Sequence, residues 1–268
     1  MSKQIDTQAS PAAASPLSRQ DSAPQVYVGV AGWTCPGRAD GTFPSEGSHL
    51  ARYASVLRAV EINSSFYRMH RRATYERWRK SVPDGFRFTL KVPKEITHIR
   101  RLVDCDELLQ VFLGASAGLA EKRAVILVQL PPSFRFDCDL AASFFANVRR
   151  SYRGGIACEP RHESWFTPEA EAVLRDARVA RVAADPGVVA EAFKPGGWTD
   201  LAYYRLHGSP RTYYSSYNDS QLATLADALR EGSQGTAFCI FDNTAAGAAI
   251  PNALTFAPLV TAQSSSGR

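Results

Sequence analysis

A single-domain, TIM-barrel-like (β/α)8 barrel is the fold class this sequence predicts, and three observations predict it. Short β-rich runs alternate with helix-period runs, eight strands can be counted, and about 240 residues carry them, which is the size of one closed barrel. An open doubly wound sheet uses the same alternation and stands as the alternative.

The strands, in order, are VYVGVAG (26–32), AVEIN (59–63), FRFTLKV (86–92), AVILVQL (124–130), GIACE (155–159), ARVAAD (180–185), LAYYRLHG (201–208) and TAFCIFD (236–242). Between them lie SHLARYASVLR, RATYERWRKS, DELLQVFLGASAGLAEK, LAASFFANVRRSY, TPEAEAVLRDAR and DSQLATLADALRE. Each carries apolar residues at spacings of three and four, the mark of an amphipathic helix. Thr167 before Pro168 predicts an N-cap with proline in the first helical position. The sixth crossover, 186–195, is short and interrupted by Gly and Pro, so a helix is not expected there.

The chain has 268 residues, 45% hydrophobic and 21% charged, the composition of a soluble globular domain. Residues 1–24 are rich in Ser, Ala, Pro and Gln, without an apolar signal-peptide core, and predict a disordered tail; 263–268 predict another. The barrel domain is expected over 25–262. No apolar run approaches the roughly 20 residues that span a bilayer, so no membrane partner and a cytoplasmic location are expected. Five cysteines without a C-x-x-C pair argue against a disulfide framework or a thiolate zinc site. Cys35 is set apart by its place in the first polar loop. A net charge of +5 is mild, and a solvated face explains it as well as an acidic partner does.

In a barrel, chemistry belongs at the carboxyl ends of the strands. Those ends read Trp33, Glu61 with Asn63, Lys91, Gln129, Glu159 with Arg161, Asp185, Arg205 with His207, and Asp242 with Asn243. Every strand delivers polarity at the same end. The pairs Glu61/Asn63, Glu159/Arg161 and Arg205/His207 are spaced i, i+2 and so share a face, while Ile62, Leu90 and Leu206 suit the helix layer. The following loops add Arg68, Lys94, His98, His162, Arg211, Tyr213, Tyr214 and Tyr217. Cations exceed carboxylates there. Arg offers a planar fork and Lys a point charge to phosphate or carboxylate, and neighbouring aromatic rings suit a sugar or base.

The runs VEINSSFYR (60–68), FTLKVPKEITH (88–98), QLPPSF (129–134), EPRHESW (159–165) and YRLHG (204–208) resemble, in order and spacing, the successive motifs of the domain-of-unknown-function-72, or YecE-like, family. The resemblance covers 26–253 and implies a TIM-barrel-like fold with a pocket at its mouth, but no reaction. Glu61, Asn63, Tyr67, Arg68, Lys91, His98, Glu159, Arg161, His162, Arg205 and His207 match the family pattern. Ala31, Cys35 and Asp242 depart from it, standing where serine, tyrosine and asparagine are common.

Three chemistries remain open on these residues. An enzyme acting on a phosphorylated, nucleotide-like or other anionic substrate would use Glu61 or Glu159 as base and His207 or His98 to carry a proton. Asn63, Tyr67, Arg68, Lys91, Arg161, His162, Arg205, Tyr214 and Asn243 would then bind the substrate. A divalent-metal hydrolase of phosphodiesters or sugars would draw ligands from Glu61, Glu159, Asp185 and His207, although no compact ligand spacing marks such a site and the sequence requires no cofactor. A non-catalytic nucleotide or nucleic-acid binder would use the basic rim, Arg71, Arg72, Lys94, Arg100, Arg101 and Arg211, with tyrosines stacking bases.

Overall fold

The computed structural model describes residues 25–34, 41–232 and 235–261. The tails expected at 1–24 and 263–268, and Cys35, lie outside the described residues. The strands are β1 (Gln25–Ala31), β2 (Ala59–Ile62), β3 (Arg87–Lys91), β4 (Arg123–Gln129), β5 (Gly155–Glu159), β6 (Ala180–Arg181), β7 (Ala183–Asp185), β8 (Gly196–Gly197), β9 (Leu201–Leu206) and β10 (Thr236–Phe241). They form one sheet, parallel except for the two-residue β8 on β6.

The predicted sixth strand is broken at Val182, and the break nearly closes the barrel. Its first half pairs with β5 through Ala157↔Ala180, and its second half pairs with β9 through Ala184↔Arg205. A single continuous segment therefore joins both edges of the sheet, which decides for a nearly closed barrel over the open sheet.

Side chains alternate between lumen and helix layer as strand geometry requires. Tyr27, Leu127, Ala157, Val182, Tyr203, Phe238 and Ile240 are buried in one cluster that fills the lumen, with Tyr27 stacked on Phe238 at 4.9 Å. Val60, Ile62, Leu90 and Leu206 belong to the larger core under the helices. Gly29 is on the lumen side of β1, opposite Ala59, where an added Cβ would lie 2.1 Å from the Ala59 carbonyl oxygen. No side chain fits without spreading β1 from β2. Gly29→Ala is expected to destabilise the fold by about 3 kcal/mol, read as a lower urea midpoint at unchanged slope.

The outer layer holds α1 (His49–Ala54), α2 (Ser64–Tyr67), α3 (Arg72–Lys80), α4 (Asp106–Ser116), α5 (Cys138–Ser151), α6 (Pro168–Asp176), α7 (Asp219–Gly232) and α8 (Ala249–Thr261). Capping follows the sequence: the Thr167 hydroxyl accepts the Ala170 amide at 3.2 Å with Pro168 in the first position, and Asp137 caps α5 in the same way. The sixth crossover holds only a short 3-10 turn, Ala190–Phe193. The described cysteines, Cys105, Cys138, Cys158 and Cys239, are free. No helix of the described residues is long and apolar enough to cross a membrane.

Candidate active site

The alternation that builds the barrel also decides which strand-end residues point inward. Glu61 follows Ala59 on the lumen face of β2, Lys91 follows Thr89 on β3, Glu159 and Arg161 follow Ala157, Arg205 and His207 follow Tyr203, and Asp242 follows Ile240. These groups converge just above the apolar lumen. Arg205, 1% exposed, is the hub. Its Nε and Nη2 donate to Glu61 Oε2 and Oε1 at 3.0 and 2.6 Å, its Nη1 to Glu159 Oε2 at 2.7 Å, and Nη2 also to Asp242 Oδ2 at 3.0 Å. One planar fork thus ties together the ends of β2, β5 and β10.

The carboxylates are held from other sides too. The Tyr203 hydroxyl donates to Glu61 Oε2 at 2.8 Å and has Thr89 Oγ1 at 2.7 Å. Burial and the Glu61 charge push the Tyr203 phenol well above its ordinary value, which keeps it a donor. Glu159 Oε1 faces Arg161 Nη2 at 2.7 Å and His207 Nε2 at 2.9 Å; His207 Nδ1 lies 3.0 Å from Asp242 Oδ2. Glu61 and Glu159 are wholly buried, with every carboxylate oxygen engaged. Asp242 is different: among the described residues its Oδ1 has no hydrogen-bond partner, and its side chain is 11% exposed.

Opposed effects set the protonation of this cluster. Burial alone would raise the Glu159 carboxyl, but Arg205, Arg161 and His207 outweigh it and hold Glu159 well below the usual carboxylate range. Asp242 is likewise lowered, against burial, by Arg205 and His207. Burial would lower Arg205, and Glu61, Glu159 and Asp242 outweigh it and raise the guanidinium well above its ordinary value. A carboxylate with a depressed folded pKa binds fewer protons folded than unfolded. Its stabilisation is therefore complete above the ordinary values of 4.5 for Glu and 3.8 for Asp, and is lost as pH falls through the lower folded values. The unfolding midpoint is expected to hold steady above about pH 5 and to fall steeply below pH 4 in an acid titration followed by circular dichroism.

A more open layer lies above this floor. Arg161 retains 16% side-chain exposure, and its Nε is buried without a partner among the described residues. Lys91 is half-buried, with Nζ 4.1 Å over the Phe66 ring and no hydrogen bond or ion pair among the described residues. Burial and then Arg205 push its ammonium below the ordinary value, and the three carboxylates restore only part of that. Asn63 leads into α2 with its Oδ1 buried and, among the described residues, unpartnered. His98 packs edge-on against Phe66 at 5.0 Å, with Nδ1 2.9 Å from Thr97 Oγ1. Burial, then Lys91, Lys94 and Arg101, lower it, so the field over this side of the mouth is positive.

Other expected site residues are placed elsewhere. Asp185, expected among the metal ligands, has the outward parity opposite Ala184; it pairs with Leu206 and lines a cavity on the outer wall with Phe193, Tyr204 and Tyr217. Its backbone still reaches the site, since its carbonyl accepts the His207 amide at 2.7 Å. Asn243 also turns outward, donating to the Ser215 carbonyl and to Asn252 Oδ1, and so fixes the loop after β9. His162 caps a short turn, its Nδ1 accepting the Ser164 amide. Tyr67 is 75% exposed, Arg68 is exposed, and Tyr214 carries the Arg211 guanidinium 3.9 Å over its ring. Among the described residues no group of three or more His, Cys, Asp and Glu is disposed to hold a metal ion; Arg205 occupies the centre that an ion would need.

Tyr203 and Thr89 were not expected in the site, and Asp242 was expected at the mouth without a role. Each has the lumen parity of a neighbour that was singled out, and that parity is the signal that finds them.

Comparison with known proteins agrees with this architecture. The sequence model of the family described as "Protein of unknown function DUF72" matches residues 27–267. UPF0759 protein YunF of Bacillus subtilis (strain 168) is 30% identical over 154 residues, 53% of this chain and 53% of that one. UPF0759 protein YecE of Escherichia coli (strain K12) is 32% identical over 109 residues, 41% of this chain and 39% of that one. The aligned part spans about half the length of these relatives or less. Two crystal structures of DUF72 family proteins superpose over more. One from Enterococcus faecalis V583 has a TM-score of 0.74 at 22% identity, covering 88% of this chain and 95% of that one. One from Thermotoga maritima MSB8 has a TM-score of 0.71 at 26% identity, covering 88% and 99%.

Proposed function

This chain belongs to the family of proteins of unknown function DUF72, and from that premise we propose that it is an enzyme that binds a phosphorylated or otherwise anionic small substrate at the carboxyl-terminal mouth of the barrel and acts on it by acid-base chemistry. One observation carries the reading. Arg205 saturates Glu61 and Glu159, so beside Asp242 the charged groups left to face a ligand are cations: among the described residues Arg161 Nε has no acceptor and Lys91 no hydrogen bond or ion pair. Buried donors without partners are costly, and a ligand oxygen satisfies them.

In this reading Glu61, Glu159 and Arg205 form the rigid floor, a preorganised charge array rather than reacting groups. Arg161 anchors the anion, with Lys91 as the second nitrogen and the Asn63 carbonyl oxygen as an acceptor for a substrate hydroxyl. Asp242 carries the proton through its free Oδ1, and His207, hydrogen-bonded to its other oxygen, orients it. Calorimetric titration of the intact chain with inorganic phosphate and a panel of sugar phosphates tests the binding half of the reading. Saturable binding that weakens with salt is expected, and its absence across the panel would count against an anion site.

A further inference from the structure

We propose that Lys91 is a nucleophile, whose amine forms an imine with the carbonyl carbon of an aldehyde or ketone substrate that carries the anionic group. The inference rests on the anion site above and names the substrate class for it: a phosphorylated sugar in its open form, or a 2-oxo acid.

The setting of the amine is the reason. Glu61, Glu159 and Asp242 all act on Lys91 electrostatically, yet none pairs with it, because their engaged oxygens are turned to Arg205, Arg161, His207 and Tyr203. A lysine that served only to balance these carboxylates would be bonded to one of them. Instead Nζ stands over the face of Phe66, which Tyr67 and His98 brace edge-on at 5.0 Å each. The backbone beneath is fixed by the β3 ladder and by Ser65 Oγ donating to the Lys91 carbonyl at 2.7 Å. The amine is thus held over a ring face in a partly open position, and among the described residues it is bonded to no carboxylate, so a substrate carbonyl can reach it. Desolvation beside another cation, which lowers Lys91, is the recognised means of activating an amine for imine formation.

The step balances without an oxidant or reductant. The neutral amine attacks the carbonyl carbon, and a C–N bond forms as the carbonyl π pair moves to oxygen. The carbinolamine nitrogen passes a proton to Asp242, which returns it to the carbinolamine oxygen; a second proton, drawn from solvent through Asp242, turns that hydroxyl into a water leaving group, and the nitrogen lone pair forms the C=N bond as the C–O bond breaks, releasing water and leaving the iminium. Arg161, permanently charged, holds the anionic end throughout.

The probe is pyridoxal 5′-phosphate, an aldehyde bearing a phosphate, added to the full-length chain at one equivalent and reduced with sodium borohydride; labelled peptides are then read by mass spectrometry. A lowered amine pKa raises the neutral fraction near pH 7, so Lys91 is expected to label first, ahead of exposed Lys80, Lys94 and Lys194, with their adducts lost relative to its own at one equivalent of probe. Inorganic phosphate should slow the labelling of Lys91 and leave that of Lys80 unchanged, and Lys91→Arg should lose the fast adduct while still binding phosphate. Labelling spread over the exposed lysines with Lys91 unmodified would overturn the imine. If phosphate binding persisted in that case, the anion site would stand alone; if it too were absent, both readings would fall.

Discussion

Arg205→Met is expected to leave a chain that does not hold its fold at neutral pH. The guanidinium is the shared partner of Glu61, Glu159 and Asp242, and the first two are fully buried. Breaking one buried pair by removing a partner costs about 3–5 kcal/mol, and domains are stable by only about 5–15 kcal/mol in all. The pH dependence should invert. In the native chain Glu159 and Asp242 are depressed, so stability is lost as pH falls. In the variant, carboxylates left in a dry lumen without the cation prefer the protonated form; their folded pKa values then exceed the unfolded ones, and stability is gained as pH falls through them. Urea unfolding at pH 7.5 and pH 5 reads both effects. Replacing the partners together, as Glu61→Gln, Glu159→Gln, Asp242→Asn and Arg205→Met, should recover stability relative to the single change, because no buried charge is then orphaned. A single variant within about 1 kcal/mol of the native chain at pH 7.5 would show that Arg205 is not the hub.

Arg161→Met should separate binding from folding. Glu159 keeps Arg205 and His207 when Arg161 is removed, so the loss of stability should be limited to about 1.5–3 kcal/mol and leave a folded chain. Charge-assisted hydrogen bonds contribute about 1.5–3 kcal/mol each, so loss of the anion anchor should weaken phosphate binding by about 10- to 150-fold. Lysine at the same position should rescue only part of this, since it restores the charge without the planar fork. Calorimetry on the two variants distinguishes the cases. Unchanged affinity in Arg161→Met would move the anion away from this end of the barrel.

Much of the barrel was legible because its lumen obeys a period of two. Val60 and Ile62 face the helices while Ala59 and Glu61 face inward, and the same alternation places Lys91, Arg161, Arg205 and His207. The break at Val182 was not legible, since a strand that changes partner midway leaves no local mark in composition. Helix α8 was hidden by Pro251 and Pro258, which read as breakers although the first lies in the opening turn, where a missing amide costs little. The misplacing of Asp185 has another cause. It ends a strand, but Ala180, Val182 and Ala184, all in the lumen cluster, already give it the outward parity. What no single sequence conveys is saturation. Four ionisable residues at one mouth look like four reactive groups until the distances show Arg205 consuming Glu61 and Glu159 and leaving Lys91 without a partner among the described residues.

A crystal structure of the chain with a bound sugar phosphate tests the central claim most directly. The phosphate is expected within hydrogen-bond distance of Arg161 Nε and close to Lys91 Nζ, with Arg205 still bridging Glu61 and Glu159 beneath it. A phosphate found instead in the surface groove lined by Arg150, Arg153, Arg178 and Trp198, with the mouth unchanged, would contradict it.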